Sequence, residues 1–344
     1  MIMVMKKKNA EREKMMMMMK QKKAERKELI RKCKHYEDIL RKRKVFNAIH
    51  QILLMNDGVI SEFTLSLNID NKRDEVDKIV TYLSRKNTIK KLVLRMNDDL
   101  YDEIGTPYML PSSIFALHQL TDLYLQRCGF YFLPTINGFG CLTSLFLNDF
   151  ATSEMVFISS HYLFTRAFMC ALFGCLPSVA HLYIDIRSDI QSFWLYESKF
   201  VLPKSPTPLV HLKYAHLPGS CFIGKYGLPL AINFIKSSPN LEKLKLLGNM
   251  YIFNEVSKID SLMPEENSDI RLEHLKELEF NVCSPIPKLK FLKLILANSP
   301  VLKQVRINLH HTLDKDDELD MLKALSDAPR TSQMVGITNG RNCC

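Results

Sequence analysis

The apolar residues of this chain recur in one pattern, Leu-x-x-Leu-x-Leu-x-x-Asn/Cys, in which x is any residue. The clearest copies begin at Ile60, Ile89, Leu120, Leu241 and Leu275, and weaker copies begin at Leu142, Val179, Leu209 and Leu302. Within each copy two apolar residues stand two positions apart, which in a β-strand places both side chains on one face of the sheet. Each copy therefore predicts one short strand with one buried face.

The segments between these strands show helical spacing instead. Residues 75–85 carry apolar side chains three or four positions apart, and similar spacing marks 163–176, 228–235, 289–297 and 319–325. One strand–helix unit cannot bury its apolar face, whereas stacked units share a continuous core. Successive copies start 22 to 37 residues apart, and most gaps exceed the usual leucine-rich repeat of about 20–29 residues. The sequence therefore predicts an α/β fold, an irregular leucine-rich-repeat solenoid whose curved parallel sheet has helices and loops on its convex side.

Charge divides the chain into a basic segment and a nearly neutral remainder. Residues 1–44 hold 17 of the 47 Lys and Arg residues and 6 of the 37 acids, which leaves 30 bases and 31 acids in residues 45–344. The segment is rich in Lys and Met and has no Pro or Gly, so it predicts a tail that is either helical or disordered. The predicted organisation is this tail at 1–44, the solenoid at 45–285, its C-terminal end at 286–338 and a short tail at 339–344.

A partner-binding surface is predicted on the concave side of the sheet. In each copy the residue between the two inward apolar positions faces that side, and these residues are Thr64, Val93, Tyr124, Phe146, Tyr183, Lys213, Lys245, Glu279 and Arg306. The three aromatic residues come from adjacent copies. Their rings form a contiguous binding patch, of the kind enriched in tight interfaces, or alternatively serve only strand packing.

Motifs for catalysis, cofactors or metals are not recognisable. Gly138-x-Gly140 lacks the third glycine of a phosphate-binding loop, and Cys33-x-His35 offers two metal ligands without a second pair. No segment is apolar enough to span a membrane. The nine cysteines are odd in number and lack framework spacing, which indicates a reducing compartment. We therefore predict a binding protein that is not an enzyme, needs no cofactor or metal, and lies in the nucleus and/or cytoplasm.

Three stretches of the sequence, which follow one another in a fixed order, carry a family resemblance. They are 49–67, which includes Asn56-Asp57-Gly58, then 110–145, with Leu110-Pro111-Ser112-Ser113 and Leu120-Thr121-Asp122-Leu123, and finally 291–332, which ends in Ala328-Pro329-Arg330-Thr331-Ser332. Together they cover most of residues 45–338, and they resemble the plant F-box/LRR-repeat proteins that often end in an FBD domain; residues 286–338 are similar to that FBD ending. The resemblance implies the substrate-recognition component of an SCF-type cullin ubiquitin ligase, which binds a protein target.

The F-box of that family, a short helical module that docks a Skp-type adaptor, has no counterpart in residues 1–44. These residues contain no Pro and no apolar helix of the required width. Two explanations stay open: the chain comes from a truncated gene model, or it recognises a partner without recruiting the ligase. A Skp-type adaptor is therefore expected as a partner only if an F-box exists upstream.

The basic tail supports an alternative function. Arg41, Lys42, Arg43 and Lys44 form a candidate nuclear-import signal, although a solvated charge run has the same composition. A tail with this excess of Lys and Arg also suits phosphate contacts. The alternative is a nuclear nucleic-acid- or chromatin-associated leucine-rich-repeat protein that binds through its basic N-terminal tail.

Overall fold

The structure is a computed structural model that describes residues 2–68, 73–97, 107–130, 139–152, 172–186, 208–218, 227–247, 270–282, 286–309, 315–316, 319, 323 and 336–341. The chain forms two compact units, Met1–Val59 and Ile60–Cys344.

The first unit contains one long helix, α1 (Ile2–Met55). Its residues are strong helix formers, and neither Pro nor Gly interrupts them. Residues 2–44 of the predicted tail are therefore helical, and the helix continues past the predicted boundary to Met55. An Asx turn follows, in which the backbone N–H of Gly58 donates to Oδ1 of Asn56 at 2.8 Å. Phe46 and Leu53 are buried, whereas the described side chains before residue 45 are exposed or half-buried.

The second unit contains a large parallel sheet, as the sequence predicts. Its hydrogen-bonded order is β1-β2-β4-β6-β7-β8-β9-β10-β11-β12, with β3 paired to β5 and β5 to β6. The strands are β1 (Glu62–Asn68), β2 (Lys91–Asn97), β3 (Tyr108–Leu110), β4 (Asp122–Gln126), β5 (Cys128–Phe130), β6 (Ser144–Thr152), β7 (His181–Ile186), β8 (Tyr214–Pro218), β9 (Lys243–Leu247), β10 (Glu277–Val282), β11 (Gln304–Leu309) and β12 (Gly336–Arg341). The sheet continues across the boundaries predicted at 285 and 338, and residues 339–341, predicted as a tail, lie in β12.

Helices alternate with these strands. Three of the predicted helices are seen as α2 (Arg73–Lys86), α3 (Gly227–Ser237) and α4 (Ile286–Asn298). A short 3-10 helix spans Ser112–Ala116. Of the predicted helices at 163–176 and 319–325, the structure describes residues 172–176, 319 and 323, and those at 172–174, 319 and 323 are helical.

The core includes the apolar positions that the periodicities predict. In β2, Leu92 and Leu94 are fully buried. In α2, Val76, Ile79 and Leu83 are buried as completely, so the helix has one apolar stripe. Asn87 ends α2 in the left-handed conformation, with φ 47° and its N–H bonded to the carbonyl of Leu83 at 3.0 Å.

A repeated backbone contact fixes the register of the strands. The carbonyl of Ser61 accepts the N–H groups of Lys90 and Lys91 at 2.7 and 3.0 Å. The same two-donor contact recurs at the carbonyls of Lys90, Thr121, Thr143, Ala180, Lys213, Glu242 and Lys276, each bonded to the two residues that precede or begin the next strand. Because each carbonyl ties one strand start to the next, equivalent residues of successive repeats lie side by side.

Candidate partner-binding face

Ten strands each place one residue in a single row across the sheet. This central row is Thr64, Val93, Tyr124, Phe146, Tyr183, His216, Lys245, Glu279, Arg306 and Thr338, which are successive Cα partners. Side chains alternate between the two faces of a strand, so the row lies opposite the buried leucines. Among its members with a described side chain, Val93 is the buried one. Eight of the nine predicted face residues therefore share one row.

Lys213 is the predicted face residue that lies outside the central row. The register pairs Tyr183 with His216 and His216 with Lys245, so the repeat is Leu212-x-x-Ala215-x-Leu217 rather than the copy predicted from Leu209. Instead, the backbone carbonyl of Lys213 accepts the N–H groups of Glu242 and Lys243. The Nζ atom of Lys213 lies 3.8 Å from Oε1 of Glu242. The prediction was wrong at this repeat because Leu209, Leu212 and Tyr214 also fit the apolar pattern. The repeat that the structure shows has Ala215 where the pattern has a leucine.

Three aromatic rings stack in the middle of the central row. The ring centroids of Tyr124 and Phe146 lie 4.4 Å apart with their planes at 9°. Those of Phe146 and Tyr183 lie 3.8 Å apart at 7°. Neighbouring strands stand about 4.8 Å apart, so aromatic residues in register meet face to face. We call Tyr124, Phe146 and Tyr183 the aromatic stack.

Polar groups cover both ends of the aromatic stack. The guanidinium carbon of Arg95 lies 4.8 Å from the ring centroid of Tyr124, a cation–π contact. At the other end the His216 ring lies 4.1 Å from the Tyr183 ring, tilted by 46°. Because the ring faces are occupied, a partner on this surface meets ring edges and hydroxyl groups.

The two tyrosine hydroxyls differ in what they offer. The Tyr124 hydroxyl donates to Oε1 of Gln126 at 3.3 Å. The Tyr183 hydroxyl has no hydrogen-bond partner among the residues that the structure describes. Burial, followed by the nearby Asp185 carboxylate, raises the pKa of Tyr183 to about 12. Tyr183 therefore keeps its proton at neutral pH and can donate a hydrogen bond to a partner.

The far end of the central row is charged. Oε2 of Glu279 lies 2.6 Å from Nζ of Lys245 and 3.8 Å from a guanidinium nitrogen of Arg306. The Asn308 side chain donates to Oε1 of Glu279 at 3.3 Å. Burial by itself raises the pKa of Glu279, but these hydrogen bonds and the charges of Lys245 and Arg306 outweigh it and lower the pKa below its usual value. The Arg306 side chain remains 49% exposed, against 15% for Glu279, so Arg306 is the accessible charge.

His216 joins the aromatic and charged parts of the row, and sequence reasoning missed it. Burial, with a contribution from the charge of Lys245, lowers its pKa to about 4. Its imidazole is therefore neutral at physiological pH. The signal in the sequence was the alternative match Leu212-x-x-Ala215-x-Leu217, which requires alanine to be accepted at an inward position.

The other predicted features give no second site. In the described part of the chain, no group of three or more His, Cys, Asp or Glu residues could hold a metal ion. Gly138 lies outside the described residues. Within the same limits, none of the helices has the length and apolar character to cross a membrane. Arg41, Arg43 and Lys44 are exposed on α1, so the nuclear-import signal stays a prediction.

Comparison with known proteins adds one relative. No protein-family model matches the chain. An F-box/FBD/LRR-repeat protein of Arabidopsis thaliana is 24% identical to it over 345 aligned positions, which cover 82% of this chain and 80% of the relative. The predicted resemblance to the plant F-box/FBD/LRR-repeat proteins is confirmed. The parallel strands and intervening helices are consistent with the leucine-rich repeats in that relative's name.

Proposed function

We propose that this chain is a protein-interaction module, an irregular leucine-rich-repeat solenoid that selects a protein target with its central row. The observation that carries the proposal is the row itself, in which an aromatic stack continues into His216 and the Lys245–Glu279–Arg306 cluster. Ring edges, one available hydroxyl and an exposed guanidinium suit a protein surface, because aromatic and Arg side chains dominate binding energies in interfaces. Binding rather than catalysis is the role we assign to this row.

The likeness to the F-box/FBD/LRR-repeat protein supports a finer proposal. By ancestry, the target bound by the row is a substrate of an SCF-type cullin ubiquitin ligase. Recruitment of that ligase requires a Skp-type adaptor, for which residues 1–44 offer no F-box pattern. Purification of the tagged chain from plant cells tests this separately from target binding, because a stoichiometric Skp-type adaptor would show direct recruitment. We expect no such adaptor to co-purify with residues 1–344.

Target binding is tested with a matched pair of charge variants. Arg306→Ala removes the exposed cation of the central row, whereas Lys303→Ala removes an exposed cation three residues earlier that is not part of the row. Quantitative mass spectrometry of proteins that co-purify with each variant should show a specific target depleted by Arg306→Ala and retained by Lys303→Ala. Equal recovery of every co-purifying protein with both variants would contradict the assignment of the face.

A second pair isolates the hydroxyl of Tyr183. Tyr183→Phe keeps the aromatic stack and removes one donor, and Tyr124→Phe removes a hydroxyl that already donates to Gln126. One hydrogen bond is worth about 0.5–1.5 kcal/mol net, so Tyr183→Phe should weaken binding of the identified target roughly 2- to 12-fold. Tyr124→Phe should leave the affinity unchanged. The reverse ranking, measured by isothermal titration calorimetry, would show that the partner bonds the Tyr124 hydroxyl rather than that of Tyr183.

A further inference from the structure

Five basic residues of α1 form one line along the helix, and other basic residues lie elsewhere around it. Lys20, Lys23, Lys27, Arg31 and Lys34 are separated by three or four positions. At about 100° per residue, these five side chains lie within an arc of roughly 80°. The described side chains of all five are exposed. With a rise of about 1.5 Å per residue, they form a stripe roughly 21 Å long, which we call the basic stripe.

The charges in the basic stripe are largely unneutralised. Arg31 pairs with Glu28 at 2.9 Å, but both side chains are well exposed, and an exposed pair of this kind contributes little. The four lysines have no ion pair among the described residues. Glu25 lies on the opposite side of the helix, where it accepts a hydrogen bond from Gln21 at 3.2 Å. The stripe therefore presents an uninterrupted cationic edge.

Two classes of polyanion could meet such an edge, nucleic acid and an anionic membrane. A helix that lies in a membrane interface needs an apolar face beside its cationic one. The exposed apolar residues of α1 include Met15 to Met19, which are consecutive and therefore point in every direction around the axis. Leu29, Tyr36 and Leu40 are also exposed and lie on the side opposite the basic stripe, but the exposed Arg26, Lys32 and Arg43 lie on that side too. The helix therefore has no side that is apolar without interruption. The charge pattern thus favours the phosphate backbone of nucleic acid.

We propose that α1 binds the phosphate backbone of double-stranded nucleic acid through the basic stripe, without base readout. A duplex carries one phosphate charge per about 1.7 Å of axis, so roughly 21 Å of helix passes about a dozen phosphates. The five cations of the basic stripe can therefore contact about five of these phosphates. Because residues 45–344 hold 30 bases and 31 acids, the charge that drives this binding is confined to the N-terminal segment. The proposal is independent of the central row.

The test compares two variants of the full chain with equal charge. The stripe variant is Lys20→Gln, Lys23→Gln, Lys27→Gln and Lys34→Gln. The control variant is Lys22→Gln, Arg26→Gln, Lys32→Gln and Arg43→Gln, whose exposed side chains lie on the other side of α1. Each set lowers the formal net charge from +10 by four, and Gln has nearly the helix propensity of Lys and Arg. A charge-conserving variant replaces the four stripe lysines by Arg.

Binding to a fluorescent 24-base-pair DNA duplex is measured by anisotropy between 50 and 200 mM KCl. Five phosphate contacts give a slope of log K against log salt of about −4.5, a loss of roughly 500-fold over this range. The stripe variant should have a slope near −1 and bind at least tenfold more weakly than the control variant at 50 mM KCl. The control and Lys→Arg variants should keep the steep slope, with the helical circular-dichroism signal equal in all four proteins.

Three outcomes would overturn the proposal. The first is equal weakening by the stripe and control variants, which would show diffuse charge rather than a defined edge. The second is no duplex binding by the unaltered chain at 50 mM KCl. The third is binding to phosphatidylserine vesicles that the stripe variant abolishes, with no binding to the duplex, which would make α1 a membrane contact.

Discussion

Replacement of Phe146 by Leu should destabilise the second unit by more than its loss of apolar area. Phe146 is the middle ring of the aromatic stack, with neighbouring centroids at 4.4 and 3.8 Å. Each aromatic pair is worth about 0.5–1.5 kcal/mol beyond the area that it buries, so loss of both pairs costs roughly 1–3 kcal/mol. Leu retains most of the apolar volume, which leaves the ring–ring term as the main difference. Urea denaturation followed by circular dichroism measures the change in the free energy of unfolding.

Tyr214→Leu is the control for this substitution. Tyr214 lies on the same face of the sheet and is also half-buried, but the described residues make no ring contact with it. Tyr214→Leu should therefore lower the free energy of unfolding only through the buried area that it removes. A double-mutant cycle of Phe146→Leu with Tyr183→Leu should give a coupling energy of about 0.5–1.5 kcal/mol. If Phe146→Leu lowers the free energy of unfolding no more than Tyr214→Leu does, and the coupling energy is zero, the ring contacts do not stabilise the sheet. The rings would then meet only because of the strand spacing.

Three further predictions concern titration and reactivity. The pKa of His216 is lowered to about 4 in the folded state, so the unfolded chain binds more protons than the folded chain between about pH 4 and 6.5. The free energy of unfolding should therefore fall as the pH is lowered through this window. His216→Leu should remove that part of its pH dependence. The pKa of Glu279 is also lowered, so its stabilising contribution is present above the unfolded-state pKa and is lost as the pH falls through the folded-state value; Glu279→Gln should flatten acid denaturation there, whereas the exposed Glu273→Gln should not. Burial raises the pKa of the Cys128 thiol, so iodoacetamide at pH 8 should modify the exposed Cys33 and Cys141 and spare Cys128, as peptide mass spectrometry would show.

Much of the fold could be predicted because strand and helix periodicities are strong where the core is continuous. The helix predicted at 75–85 is seen as Arg73–Lys86, and its acidic first turn and basic last turn match the helix dipole. The three-residue strands β3 and β5 could not be predicted, since Tyr108–Leu110 and Cys128–Phe130 are too short to show a period of two. Strand β12 was missed because the sequence Gly-Ile-Thr-Asn-Gly-Arg carries a single leucine-like residue.

The central row could be predicted repeat by repeat, but its chemistry could not. The adjacency of Tyr124, Phe146 and Tyr183 follows from the pattern, whereas the parallel stacking of their rings depends on strands that run in register. A periodicity that tolerates several apolar residues also cannot decide between two overlapping matches three residues apart. For that reason Lys213 was predicted at the place in the row that His216 occupies. The link between the aromatic and charged parts of the row was therefore not visible in the sequence.

Alternation of side chains separates what holds the sheet together from what its face presents. Most residues of the central row have buried apolar residues on either side of them in sequence, but their own side chains lie on the other face. If the proposed function is right, substitution of Arg306 or removal of the Tyr183 hydroxyl should therefore change recognition while the buried positions stay intact. The aromatic stack is the exception, because each ring packs on the rings of the next strands. Changes at Phe146 should alter stability and binding together. Changes at Arg306 should alter mainly binding, because its 3.8 Å contact with Glu279 involves a half-exposed guanidinium and contributes little to stability. Measurement of both quantities for the two variants distinguishes these cases.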